Sequence, residues 1–78
     1  MRPLARLIIP LWGSVYAEKL TSMTLPALLA PGNLPALAAT FDVDVVLVTE
    51  SKLVDYIRQA RSFQRLTTVC EVKFARAG

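Results

Sequence analysis

No histidine occurs among the 78 residues, and Cys70 is the single cysteine. The first absence excludes His-based acid–base catalysis and His-containing zinc sites. The second excludes a disulfide framework within the chain and a cysteine-only zinc site. Glycine is scarce, at three residues. Neither G-x-G-x-x-G nor G-x-x-x-x-G-K-[ST] occurs, so both familiar phosphate-cradling loops are missing. No uninterrupted run of about 18 apolar residues is present, which argues against a membrane-spanning helix. Nor can a Ser/His/Asp or Cys/His arrangement be assembled. Charged residues are few, at 19%, against 54% hydrophobic, and the mean hydropathy is +0.45. A disordered chain has the opposite balance. The length allows one small α/β unit over residues 1–78, a size at which folding buries only roughly 60% of the unfolded surface.

The net charge of +3 is unevenly placed. Arg2, Arg6 and Lys19 balance Glu18, Asp42 and Asp44, so the excess lies after residue 49. There Arg58, Arg61 and Arg65 stand at helical spacing and could line one face toward phosphates. Without a nucleic-acid motif beside them they read as a solvated helix face, and no nucleic-acid partner is expected. Arg2 and Arg6, the apolar stretch Leu7 to Val15 and the small-residue site Val15-Tyr16-Ala17 resemble a signal peptide. Pro10, Trp12 and Gly13 interrupt that stretch, which favours a first strand instead.

Leu4 to Leu11, with β-branched Ile8 and Ile9, fits a strand buried on both faces. Ser14 is a candidate N-cap for a helix whose apolar face is Tyr16, Leu20 and Met23, and Pro26 ends or restarts that helix. The two Leu-Pro-Ala-Leu units, at 25–28 and 34–37, read as two helix starts separated by the Pro31-Gly32 turn, with Asn33 as a cap. Val43 to Val48 is the clearest strand. Thr49 or Ser51 can cap the next helix, whose stripe is Leu53, Val54, Ile57 and Ala60. Leu66, Thr68, Cys70, Val72 and Phe74 then alternate with Thr67, Val69, Glu71 and Lys73 as a third strand. The order β-α-β-α-β predicts a parallel sheet of three strands, half of a Rossmann-like three-layer fold. Ligands of such sheets sit at the carboxyl ends of the strands. Two loops qualify, Trp12-Gly13-Ser14 and Thr49-Glu50-Ser51.

Trp12 and Tyr16, four apart, could stack on a base or sugar ring or form the lid of a small core. Glu50 could accept hydrogen bonds from a ribose, or simply favour the helix start that follows it. Asp42-Val43-Asp44 has the spacing of a metal-holding pair but stands at a strand's amino end, where it reads as a solvated strand start. Cys70 reads as a packing residue inside the third strand.

Trp12-Gly13-x-x-Tyr16, followed by Leu25-Pro26-x-Leu28-Leu29-Ala30-Pro31-Gly32-Asn33-Leu34-Pro35-Ala36-Leu37, resembles the amino-terminal end of bacterial glycosyltransferase-like proteins of the GT-A, nucleotide-diphospho-sugar transferase type. Val45-Val46-Leu47-Val48-Thr49 matches their second strand and its threonine exit, while Ala27 stands where that pattern has a serine. The resemblance implies that residues 1–78 form the N-terminal part of a larger nucleotide-sugar-binding domain. It implies substrate-binding roles for Trp12, Gly13, Tyr16, Thr49 and Glu50. No cofactor is expected in this chain, though a divalent metal, Mn or Mg, could serve an intact parent enzyme. A cytoplasmic location is expected, with no complete catalytic site. The alternative is a small non-catalytic interaction module, self-associating through exposed sheet edges.

Overall fold

A computed structural model describes residues 2–76. The chain runs β1 (Leu4–Pro10), α1 (Ser14–Lys19), a π-helical turn (Leu20–Thr24), α2 (Leu25–Leu28), α3 (Leu34–Ala38), β2 (Asp42–Thr49), α4 (Ser51–Gln59), α5 (Arg61–Val69) and β3 (Glu71–Arg76). The strands form one parallel sheet in the order β1-β2-β3. The mixed α/β class and the parallel pairing follow the alternation of elements in the sequence.

The register explains the burial. Leu7 opposes Val45, which opposes Val72; Ile9, Leu47 and Phe74 form the next row. These rows face the helices, where Leu20, Leu25, Leu34, Ile57 and Leu66 close the core. The alternate side chains face away, and Leu4 and Ile8 are 63% and 59% exposed. Strand β1 was expected to be buried on both faces, but burial alternates along all seven of its residues. The physical reason is topology. Strands laid in the order 1-2-3 put both crossovers on the same side when the crossovers share a hand. The helices among the described residues therefore cover one face of the sheet, and the expected third layer is not among them.

The open face carries a charged belt at the amino ends of the strands. Arg6 donates to both carboxylate oxygens of Asp44, Nε at 2.9 Å and Nη2 at 2.8 Å, and Asp44 is only 5% exposed. Lys73 stands 4.0 Å from Asp44 and 3.8 Å from Glu71, and Arg2 3.7 Å from Asp42. Asp42 and Asp44 thus share a face, as residues two apart on a strand must, and each is engaged by an arginine.

Several local expectations are corrected. Of the Tyr16, Leu20 and Met23 stripe only Leu20 is buried. The π turn rotates the register, so the buried side is Ala17, Leu20 and Leu25. Pro26 explains the turn: it has no N–H for the carbonyls four or five residues back and its ring crowds them. The carbonyl five residues back, that of Thr21, instead accepts from Ser62 Oγ at 2.6 Å. Gly13, not Ser14, precedes α1, and Glu50, not Thr49 or Ser51, precedes α4. Asn33 does precede α3, but its Nδ2 donates to the Ala27 carbonyl at 2.6 Å.

The second crossover holds two helices, broken at Ala60, whose backbone is extended at φ −69° and ψ 137°. Residues 66–69 are helical and β3 begins only at Glu71, because Phe63 and Leu66 bury as one side of α5. Cys70 lies outside the strand, half-buried after α5, and burial pushes its thiol pKa up. Arg58 ends up on α4 and Arg61 and Arg65 on α5, so the three arginines do not share one helix.

Candidate functional site

Pairing with β2 continues past β1, where the Leu11 N–H donates to the Val48 carbonyl at 2.9 Å. Leu11 is buried and the chain then leaves the sheet. Gly13 takes φ +84° and ψ 154°, a conformation that side chains other than hydrogen rarely adopt. An added Cβ would meet no atom there, so the need for glycine is conformational and not spatial. This bend starts α1 at once and leaves Trp12 turned outward.

The bend is held from the neighbouring loop. Glu50 Oε1 accepts the Gly13 N–H at 2.8 Å, and Glu50 Oε2 lies 3.2 Å from Lys52 Nζ. The Gly13 N–H, and then Lys52, hold the Glu50 carboxyl below the usual carboxylate range. Both carboxylate oxygens thus have partners within the protein. The contact joins the two loops that end β1 and β2, which the sequence had singled out separately.

Between the edge of β1 and the α1–π segment lies an open crevice of about 500 Å³. Ile9, Leu11 and Leu20 make its apolar floor, and Trp12, Tyr16, Lys19 and Thr24 its rim. Trp12 is 49% and Tyr16 61% exposed. Lys19 Nζ sits 5.9 Å from the centre of the Tyr16 ring, one turn along the same helix. Two exposed aromatic rings and one ammonium beside an apolar floor can stack on a flat ring and pair with an anion. Among the described residues no three acidic, cysteine or histidine side chains come together to hold a metal.

Of the five residues singled out in the sequence, Trp12 and Tyr16 line the crevice. Gly13 and Glu50 meet each other beside it. Thr49 reaches neither, since it faces the core with no exposed surface, and its Oγ1 has no hydrogen-bond partner among the described residues. Lys19 was not foreseen. Its signal in the sequence is the i, i+3 spacing from Tyr16, which puts both on one side of a helix. Comparison with known proteins gave no matching family model, no matching curated protein and no matching solved structure.

Proposed function

We propose that the crevice binds the nucleoside end of a nucleotide sugar, and that the chain is the N-terminal part of a glycosyltransferase-like, Rossmann-like domain without a complete catalytic site. The observation that carries this is the grouping of Trp12, Tyr16 and Lys19 at the carboxyl end of β1, where ligands of open parallel sheets bind. The aromatic rings suit a base, and the Lys19 ammonium suits the first phosphates. Glu50 acts by holding the Gly13 bend, which orients Trp12, and not by direct contact. In an intact enzyme the diphosphate leaving group would need stabilisation by a metal or by basic groups outside the crevice.

Calorimetric titration of the chain with UDP and GDP tests this. Trp12→Ala should weaken binding by roughly 1–3 kcal/mol, the usual worth of a base stacked on an aromatic side chain. Lys19→Gln should weaken UDP more than uridine. Equal affinities for the wild type and a folded Trp12→Ala variant would remove the stacking role.

A second reading, a small interaction module, is favoured by one observation: Leu4 and Ile8 stand exposed on the uncovered face of the sheet. It predicts no nucleotide binding at all.

A further inference from the structure

The outer edge of β3 gathers cations. A groove of about 660 Å³ runs along it, lined by Arg58, Phe63, Val72, Lys73, Phe74 and Arg76. No carboxylate is among these, and three cations are. Arg58 and Arg76 make no ion pair among the described residues, and Lys73 has only the long contacts to Asp44 and Glu71. The aromatic residues are already occupied. Phe63 stacks on Phe74 with ring centres 5.5 Å apart, and the Arg58 guanidinium stands 5.2 Å from the Phe74 ring centre. Phe63 is buried and Phe74 half-buried, so neither is an exposed ring of the kind on which single-stranded nucleic acid stacks. What remains available is charge and backbone. Among the described residues strand β3 pairs only with β2, which leaves its outer N–H and C=O groups without strand partners along the groove.

We propose that this edge binds an acidic segment in extended conformation, which adds to the sheet as a fourth strand beside β3. Added strands are held by main-chain hydrogen bonds and selected by their side chains. The register supplies the selection. Val72, Phe74 and Arg76 point to the helix side of β3, while Glu71 and Lys73 point to the open face. A carboxylate on the helix side of the added strand would lie between Arg58 and Arg76, and one on the open side beside Lys73. Arg58 and Arg76 disfavour a basic strand, so the segment that fits this edge is acidic.

Fluorescence anisotropy of the full chain with a labelled Thr-Glu alternating peptide of strand length tests the proposal. Saturable binding that weakens with salt is expected, with none for the Thr-Lys counterpart. The Arg58→Gln/Arg76→Gln double variant should lose at least tenfold in affinity, while Arg61→Gln on the outside of α5 should lose none. The decisive control needs no variant. The same Thr-Glu peptide, N-methylated at every residue, keeps every charge but has no N–H left to donate to the edge ladder on either side, and it should bind at least tenfold more weakly. Equal binding of the two peptides would overturn the added strand, and absence of Thr-Glu binding would overturn the site. Tighter binding of a thymidine oligonucleotide than of the peptide would also overturn it, in favour of a general polyanion surface.

Discussion

Three residues concentrate the local chemistry. Gly13 adopts a backbone conformation that costs other residues about 1–3 kcal/mol. Gly13→Ala should therefore lower stability in that range by urea unfolding and shift Trp12 emission, since the bend that presents the ring would relax. Thr49 is the opposite case. Its hydroxyl is buried without a partner among the described residues, an arrangement that costs free energy without return. Thr49→Val fills the same space and should stabilise the chain by about 1 kcal/mol; a loss of stability would show that the hydroxyl is satisfied in solution. Glu50 shows why only part of the site was legible in the sequence. Its place at a strand's carboxyl end could be read from spacing, but its partner, the Gly13 N–H, lies 37 residues away in the chain and depends on register. Trp12 and Tyr16 were legible because an aromatic pair four apart across a strand-to-helix junction must come to the same edge. Lys19 and the burial of Thr49 were not, because both depend on which helical face the π turn turns inward.

At the level of elements, the first two strands were the readable part. Val43 to Val48 and Leu4 to Leu11 carry β-branched runs bounded by turn residues, and both form strands within a residue or two of the expected limits. The helices were harder. Thr67, Thr68 and Val69 have strand-like chemistry but complete α5, because burying Phe63 and Leu66 together outweighs local preference. The π turn was not legible at all, since it answers to Pro26 together with a donor from α5. That donor gives the element its own test. Ser62→Ala removes the hydrogen bond to the Thr21 carbonyl and leaves it without a partner, which should cost about 1–3 kcal/mol. Leu20 and Thr24 bound both the π turn and the crevice. The same variant should therefore weaken any crevice ligand, whereas a surface substitution such as Gln64→Ala should change neither.

For the whole molecule, stability in acid follows from the carboxylates that fold into contact with donors. Arg6 beside Asp44 holds that carboxyl below its usual range, and the Gly13 N–H does the same for Glu50. A carboxylate whose pKa is depressed by folding contributes stability that is complete above its unfolded pKa and is lost as pH falls through the folded value. Tm should be level from about pH 8 to 6 and fall below about pH 4. Asp44→Asn should lower Tm at neutral pH and flatten the acid fall, and an unchanged acid fall would remove Asp44 from the explanation. The uncovered sheet face matters at the same scale. With helices on one side, the belt of Arg2, Arg6, Asp42, Asp44, Glu71 and Lys73 gives the other side a charged surface at its amino end, while Ile8 and its neighbours leave the carboxyl end apolar.

The most direct measurement uses the single tryptophan as its own reporter. Trp12 fluorescence is followed while the chain is titrated with uridine, UDP, GDP and a UDP-sugar, with and without manganese. Saturable quenching by a nucleoside diphosphate, stronger than by the bare nucleoside, is the expected result, because the base would cover Trp12 and the phosphates would meet Lys19. A flat response to all of them from a folded sample would contradict a nucleotide site in this crevice and leave the interaction module as the standing explanation.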